Sequence, residues 1–333
     1  MKNFLVTETT FLTPDIFLLT LRAERERDCF IHIPGQYAAI GFQVNGRPTP
    51  MRCFSIVNAP NNTGIIQFAI KVSGSFTHTA TYLQKGNKVK VQGPFGEFVV
   101  NKQFDRNVVM LAGGIGITPF MSMLRNAAST QSPIHFTLLY SCQNQAAIPF
   151  FDELIKLEQQ NQNFSVQFYI TNGSVAAASP AHLYEGRIDP LAIAAATPKH
   201  PNAYTYFICG PNGFMNSVQE ILRSRGVYPD NIVSEAFTQG ASGRAVINSQ
   251  NIPKLIYKLT SAAIVLGIGF IMTLDLMRAV PKIMAAETTQ ASQVTEVQTT
   301  ATPASTSISS TLTPTATPYV QNYTYQQPVT SVS

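Results

Sequence analysis

The sequence is short of cysteine and of charged side chains, and each shortage excludes a class of protein. The four cysteines lie far apart and form no Cys-x-x-Cys pair, so local spacing can build neither a zinc ribbon nor a ferredoxin-type iron–sulfur cluster. Charged residues make up only 12% of the chain, and despite a net charge of +5 no run of Lys or Arg is long enough to predict a nucleic-acid surface. We therefore predict no metal site and no nucleic-acid partner.

The N-terminus also lacks the apolar core of a signal peptide. The opening stretch MKNFLVTETTFLTPD carries a lysine but becomes polar too soon for such a core. We therefore do not expect the globular part to be exported, and we interpret the cysteines as reduced thiols of a cytoplasmic domain. With 333 residues, 45% of them hydrophobic, the chain has room for about two domains with buried cores.

Residues 1–103 consist of short apolar or alternating runs. The runs IFLLTLRA, QYAAIGF, RCFSIVN and IIQFAIKV are separated by turn-forming sequences such as NAPNNTG and QKGN. Strands of this length and spacing are typical of a small antiparallel barrel or sandwich. The pattern therefore predicts an antiparallel β-barrel over this range.

The pattern changes over residues 104–238, where strand-like and helix-like segments alternate. The apolar runs NVVMLAGG, IHFTLLYSC, FSVQFYIT and AYTYFICGP are separated or followed by TPFMSMLRNAA, PFFDELIKLEQQN and GFMNSVQEILRSRG, which have helical spacing. Alternation of this kind favours a parallel sheet with helices on its faces. We predict an α/β nucleotide-binding domain after the barrel.

A Gly/Ser/Asn-rich linker, residues 239–254, precedes an apolar segment at residues 255–280. Leu259–Leu274 carries no charge and would rise roughly 24 Å as a helix, a little less than the ~30 Å hydrocarbon layer. Lys258 can extend its ammonium to the interface, and Asp275 would lie there too. We predict a single transmembrane helix, and the alternative is a buried or interfacial helix.

Residues 281–333 are rich in Thr, Ser, Pro and Gln and cannot bury enough apolar surface to fold, so we predict a disordered tail. From Glu287 onward this tail contains no Lys or Arg, which favours its translocation and leaves the folded domains in the cytoplasm. Arg278 and Lys282, on the far side of the predicted helix, argue against this orientation.

Three short motifs indicate where a ligand binds. LAGGIGITPF, residues 111–120, and FICGPNGFM, residues 207–215, each place glycines directly after an apolar strand. Ligands of open α/β sheets bind beyond the carboxyl ends of the strands, so two such loops side by side would form a cleft. The third motif, RCFS at residues 52–55, combines an arginine, an aromatic ring and a hydroxyl. Taken singly, the glycine turn is also compatible with a tight βα connection, and RCFS with an ordinary strand that has a charged end.

Together these motifs, with KVSGSFTHTA, GPFGEF and SEAF, resemble the ferredoxin-NADP reductase superfamily in the correct order over roughly Phe4–Phe237. The resemblance implies an FAD-binding barrel, an NAD(P)-binding domain and oxidation of NADH or NADPH. The flavin-contacting residues that it implies are Arg52, Cys53, Phe54 and Ser55, then Ala69, Ile70 and Lys71 along the ribityl chain, and Gly74, Ser75, Phe76 and Thr77 near the pyrophosphate. The dinucleotide-contacting residues that it implies are Gly113, Gly114, Gly116, Thr118, Pro119, Ser141, Cys209, Gly210, Pro211 and Met215.

The resemblance also implies four catalytic residues: Ser55, Cys209, Glu235 and Phe237. The Cys209 loop would hold the nicotinamide so that hydride passes from its C4 to flavin N5, and Ser55 would hydrogen-bond the reduced N5. Phe54 replaces the tyrosine usual in the flavin motif. No Lys or Arg follows the second strand of the nucleotide domain, where the sequence reads YSCQNQ, so NADH is favoured although Ser141 could bond a 2′-phosphate.

The sequence therefore predicts a membrane-anchored flavoprotein reductase. The absence of a cysteine cluster for a two-iron centre places the electron acceptor on a separate molecule, such as a cytochrome or a quinone. One alternative is a reductase of soluble ferredoxin or flavodoxin. Another is a non-catalytic assembly or sensory subunit that has kept the fold.

Overall fold

A computed structural model describes residues 1–173, 175 and 182–236, and these residues lie within one compact unit. The predicted linker, transmembrane helix and tail, and Phe237, lie outside the described residues. Among the residues that the structure describes, no helix is both long enough and apolar enough to cross a membrane.

The N-terminal half forms an antiparallel sheet of seven strands in the order β4-β3-β7-β1-β2-β6, with β5 also paired to β3. The strands are β1 (Lys2–Thr13), β2 (Ile16–Ala23), β3 (Tyr37–Val44), β4 (Arg47–Pro48), β5 (Arg52–Ser55), β6 (Ile65–Lys71) and β7 (Lys88–Phe95), and a short helix, α1 (Ser75–Ala80), follows β6. In β7, Val89 and Val91 are buried whereas Lys88 and Lys90 are exposed, as alternation requires. The predicted antiparallel sheet is confirmed.

The two ends of this sheet meet through one short connection. The Val57 N–H donates to the Gln67 carbonyl at 2.9 Å, and the Gln67 N–H donates to Asn58 Oδ1 at 2.7 Å. Strands β5 and β6 themselves are not paired with each other. Arg52–Ser55 and Ala69–Lys71 therefore border a gap in the barrel wall, which we call the seam.

The second half is a parallel sheet of six strands in the order β11-β10-β9-β8-β12-β13. Its strands are β8 (Asn107–Gly113), β9 (His135–Cys142), β10 (Phe164–Ile170), β11 (Leu183–Glu185), β12 (Thr205–Gly210) and β13 (Ile232–Ala236). Its helices are α2 (Thr118–Ser129), α3 (Phe151–Gln160), α4 (Pro190–Ala196) and α5 (Asn212–Ser224). The predicted alternation of strand and helix around a parallel sheet is confirmed.

The strand order defines one position where the chain reverses direction across the sheet. From β8 the chain moves outward through β9, β10 and β11, and it then returns to place β12 and β13 on the other side of β8. The carboxyl ends of β8 and β12 therefore lie side by side, which is where ligands of open α/β sheets bind.

Phe98 lies between the two sheets in one continuous hydrophobic core. It is 4% exposed, and its ring centroid lies 5.7 Å from that of Phe120 in α2 and 5.2 Å from that of Phe207 in β12. The same core includes Val57 and Ala69 from the barrel. Packing of this kind keeps the seam next to the carboxyl edge of the parallel sheet.

We expect Phe98→Ala to lower the free energy of unfolding by about 3–5 kcal/mol, because it leaves a cavity among the rings that join the two sheets. Phe104 lies six positions further along the chain and is 77% exposed, so Phe104→Ala is the matched control and should cost less than about 0.5 kcal/mol. Urea unfolding followed by far-UV circular dichroism measures both variants. Equal losses for the two phenylalanines would contradict a shared core.

Candidate active site

Two glycine loops touch at the carboxyl edge of the parallel sheet. The first loop, residues 113–119, follows β8, and the second, residues 209–215, begins at the end of β12. A Cβ on Gly116 would clash with the backbone carbonyl of Cys209, and a Cβ on Gly210 would lie 3.0 Å from the Gly113 Cα. Only glycine permits this close approach of the two backbones.

Gly114 differs from these glycines because its α-carbon faces open space. Its φ of +52° is left-handed, and a Cβ there would meet no atom within 4 Å. The Tyr140 hydroxyl of β9 donates to the Gly114 carbonyl at 2.9 Å, which fixes the turn. The backbone of Gly114 is thus held in place and accessible, as a pyrophosphate contact requires.

Thr118 and Pro119 form the first turn of α2, as the sequence predicts for Pro119. The Thr118 side chain is 2% exposed, and its hydroxyl donates to the Ile115 carbonyl at 3.0 Å. This hydroxyl therefore closes the turn before α2, and it is already bonded to the protein where the resemblance assigned it to the nicotinamide.

The seam exposes unpaired backbone groups of β6. Gln67 directs both its N–H and its carbonyl toward Val57 and Asn58, away from β2. Alternation gives Ala69 and Lys71 the same orientation, on an edge where no other strand of the described residues pairs with β6. The side chain of Ala69 is buried, so Ala69 can contact a ligand only through its backbone, whereas Ile70 has a buried side chain and by the same alternation turns its backbone groups toward β2.

Aromatic rings and a capped turn lie beside the seam. Phe54 stacks on Phe76 of α1 with ring centroids 6.1 Å apart and an angle of 21°. The Thr77 hydroxyl accepts from the Ser73 N–H at 2.9 Å and donates to the Gly74 carbonyl at 3.1 Å. Thr77 therefore shapes the turn at Gly74, where a Cβ would meet no atom within 4 Å.

A polar cluster marks the junction of the barrel and the parallel sheet. Glu235 of β13 pairs in register with Cys209 of β12, and burial raises the pKa of its carboxyl group from 4.5 to about 7. Burial also raises the pKa of the Cys209 thiol well above its usual value of 9.0, with Glu235 adding to the effect. Burial and the same carboxylate raise the pKa values of Cys53 and Tyr37. Both thiols are therefore neutral near pH 7.

Two polar atoms of this region are buried without a hydrogen-bond partner among the described residues. They are Ser55 Oγ at the end of β5 and Glu235 Oε2. Because buried polar groups are almost always paired in folded proteins, each of these atoms is available to hydrogen-bond a ligand. The unpaired Ser55 hydroxyl, the open edge of β6 and the aromatic pair fit a flavin whose ring edge carries polar atoms.

The remaining predicted residues lie at different distances from this region. Ser141 pairs in register with Gly113 and is near the first loop. Lys71 forms an ion pair with Asp15 at 3.2 Å, so its ammonium already has a partner.

Met215 is 6% exposed and packs into the core beneath α5, which leaves only its backbone to a ligand. Arg52 is half-buried, and Cys53 is exposed beside it on β5. Pro211 directly precedes α5.

Sequence reasoning missed two tyrosines that shape the site. Tyr37 of β3 pairs in register with Ser55, and its ring lies against Gly96. Tyr140 fixes the first glycine loop from a neighbouring strand. Their positions in otherwise apolar strand runs are the only local signal, because a buried hydroxyl needs a partner.

Two protein-family models match the chain in the order of its two sheets. One, described as "Oxidoreductase FAD-binding domain", matches residues 3–100. The other, described as "Oxidoreductase NAD-binding domain", matches residues 110–220. The FAD-binding match contains the seam, and the NAD-binding match contains both glycine loops.

The chain matches only part of the length of its curated relatives. A flavohemoprotein of Deinococcus radiodurans is 29% identical over 221 residues, which cover 64% of this chain and 53% of that protein. NADH-cytochrome b5 reductase 1 of Aspergillus terreus is 24% identical over 236 residues, which cover 68% of this chain and 78% of that protein. The chain thus spans about half the length of the flavohemoproteins that it matches.

Solved structures share the same fold. The flavohem-like FAD/NAD binding domain of nitric oxide dioxygenase from Vibrio cholerae aligns with a TM-score of 0.61 at 22% identity, covering 71% of this chain and 98% of that one. A ferredoxin NADP+ reductase from Neisseria gonorrhoeae aligns with a TM-score of 0.59 at 20% identity, with the same two coverages. At these identities the likeness shows the fold alone.

The raised pKa of Glu235 has a definite consequence for stability. Between pH 4.5 and about 7 the Glu235 carboxyl group is protonated in the folded flavin-free chain and ionised in the unfolded chain. The contribution of this group to the free energy of unfolding is therefore fully present below pH 4.5 and is lost as the pH rises to about 7. Glu235→Gln should therefore add about 1–3 kcal/mol to the free energy of unfolding at pH 8 and change it little at pH 4.5. The exposed Glu97 provides the matched control, Glu97→Gln. A gain that is the same at both pH values would contradict a buried, protonated carboxyl group.

Proposed function

We propose that this chain, which matches the FAD-binding and NAD-binding oxidoreductase domain models, oxidises NADH or NADPH and passes the electrons through FAD to an acceptor on a separate molecule. The observation that carries the proposal is the adjacency of the two cofactor regions. Cys209 of the second glycine loop lies beside Glu235, and Glu235 approaches Gly96 and Cys53 of the barrel.

Orientation is the main contribution of the protein to this reaction. Bound nicotinamide and FAD would supply the redox chemistry, namely a hydride from the nicotinamide and two electrons that the reduced flavin can give up one at a time, with the proton released to solvent. In this proposal Ser55 Oγ hydrogen-bonds the flavin ring edge and the backbone at Gly114 binds the dinucleotide pyrophosphate, which the unpaired hydroxyl and the open glycine support. Cys209, which is fully buried, and Glu235, which is partly buried, line the junction. The hydride step requires no general base.

NADH is the preferred donor in this proposal. The residues that follow Tyr140 at the carboxyl end of β9 are Ser141, Cys142, Gln143, Asn144 and Gln145, without a Lys or Arg. Asn144 is also engaged locally, because its Oδ1 accepts from the Ala147 N–H at 2.9 Å. A 2′-phosphate could bond to the Ser141 hydroxyl, but these residues offer it no guanidinium or ammonium group.

The proposed acceptor is a haem protein, and the proposed location is a membrane surface. Similarity to a flavohemoprotein and to an NADH-cytochrome b5 reductase supports a haem acceptor. The apolar segment at residues 255–280 supports a single membrane anchor, with the catalytic domains in the cytoplasm and the C-terminal tail on the other side. A quinone, a soluble ferredoxin and a flavodoxin are the competing acceptors.

Rapid mixing of the purified full-length chain with NADH or NADPH tests the central proposal. We expect a yellow protein whose flavin absorbance is lost within the mixing experiment, with a higher kcat/KM for NADH than for NADPH. Subsequent mixing with cytochromes, quinones, ferredoxin and flavodoxin identifies the acceptor class. A colourless chain that cannot be reconstituted with FAD would instead support a non-catalytic subunit.

The anchor makes a separate prediction about location. Removing residues 255–333 should move the protein from the carbonate-washed membrane fraction to the supernatant, because the apolar segment supplies the lipid contact. Flavin reduction by NADH should remain within about twofold of that of the full chain, since the described site lies within residues 1–236. Deleting only residues 287–333 is the matched control and should leave the protein in the membrane. Equal partitioning of the two truncated forms would contradict the anchor.

A further inference from the structure

We propose that Arg125 and Ser122 of α2 are positioning residues that hold the flavin-binding strand in register with the nicotinamide loop. The inference rests on the proposed function and identifies residues outside the motifs that suggested it. Helix α2 begins directly after the first glycine loop, so its position follows that loop. Both side chains reach from α2 across to the barrel.

Arg125 makes a fixed connection between α2, α3 and the barrel. Its Nη1 donates to the Val57 carbonyl at 2.9 Å, and its Nε and Nη2 donate to the two carboxylate oxygens of Glu153 at 2.6 and 2.7 Å. Its guanidinium carbon lies 5.1 Å from the centroid of the Phe150 ring. The Arg125 side chain is 18% exposed, and its two hydrogen bonds to Glu153 orient the guanidinium toward the barrel carbonyl.

Ser122 holds the next carbonyl along the barrel chain. It is fully buried, and its Oγ donates to the Asn58 carbonyl at 2.8 Å. His32 Nε2 lies 3.0 Å from the same oxygen, so a second barrel loop joins this contact. Ser122 and Arg125, which are three residues apart on one face of α2, thus bind the carbonyls of two consecutive barrel residues.

The bound carbonyls are close to the flavin motif in the chain and in space. Val57 follows the last residue of β5, Ser55, by two positions, and its N–H closes the barrel through Gln67. Any shift of Val57 relative to α2 therefore moves Ser55, whose hydroxyl is buried and unpaired. The hydrogen bonds fix the distance between the seam and the first glycine loop.

Hydrogen bonds are needed to fix the position of the flavin-binding strand relative to α2, because apolar packing in the shared core is not directional. Apolar packing around Phe98 is favourable for many small displacements, whereas a bidentate arginine and a buried hydroxyl tolerate few. Hydride transfer depends steeply on the separation of the reacting atoms, and a displacement of about 1 Å costs roughly 100-fold in rate. Loss of these bonds should therefore slow the hydride step more than it weakens cofactor binding.

The test compares Arg125→Met, Arg125→Lys and Ser122→Ala in the full-length chain. Arg223 of α5 is exposed and its side chain forms no hydrogen bond or ion pair with the other described residues, so Arg223→Met is the matched control. Rapid mixing across NADH concentrations gives the limiting rate of flavin reduction and the dissociation constant of NADH. Flavin affinity is measured separately by fluorescence titration.

We expect Arg125→Met and Ser122→Ala to lower the limiting rate at least about tenfold, with both cofactor affinities within about threefold of wild type. Arg125→Lys should recover little of the rate, because an ammonium cannot bind Glu153 through two donors and Val57 as well. Should Arg125→Met fail to fold, Ser122→Ala decides the matter alone. Variants that match a functioning wild type overturn the positioning role, whereas a wild-type chain that NADH does not reduce overturns the proposed function and the positioning role together.

Discussion

The contact of two backbones at the carboxyl edge of the parallel sheet is the constraint on which the rest of the site depends. Gly116 lies so close to the Cys209 carbonyl that no Cβ would fit, and Gly210 packs tightly against Gly113, where a Cβ would lie 3.0 Å from the Gly113 Cα. This contact places the two glycine loops side by side and leaves Gly114 facing outward. The first loop then starts α2, and α2 carries the side chains that bind the barrel at Val57 and Asn58. The geometry of the flavin region thus follows from the packing of the nucleotide loops.

The sequence was sufficient for the architecture because its signals are local. Helical spacing predicted α2, α3 and α5, and apolar runs predicted β8, β9, β10 and β12, since each element is long enough to show its own periodicity. Helix α4 has seven residues and depends on its Asp189 cap, and β13 has five residues, of which four are partly buried and Ala236 is exposed, so neither produces a clear period. Short elements of this kind are set by their neighbours in the fold.

The site was only partly accessible from sequence, because motifs do not show which hydrogen bonds a side chain already makes. The resemblance assigned Thr118 and Thr77 to the cofactors, and that assignment stays a prediction, whereas the local turns in which both hydroxyls also form hydrogen bonds were not predicted. Tyr140 and Arg125 bind backbone carbonyls 26 and 68 positions away along the chain. Contacts at such separations depend on tertiary packing and leave no pattern in a single sequence.

The unpaired polar atoms show how the fold accommodates a cofactor at a cost to its own stability. A buried hydroxyl or carboxyl group without a partner costs about 1–3 kcal/mol, so Ser55 and Glu235 weaken the flavin-free chain. The shared core around Phe98 and the hydrogen bonds of Arg125 and Ser122 offset that cost, and none of these contacts uses the side chain of Ser55 or Glu235. Because the supporting contacts and the unpaired groups are separate, the binding region can keep its shape without a ligand. A bound flavin ring would then satisfy Ser55 with little rearrangement of the barrel, which is the condition for tight and well-oriented binding.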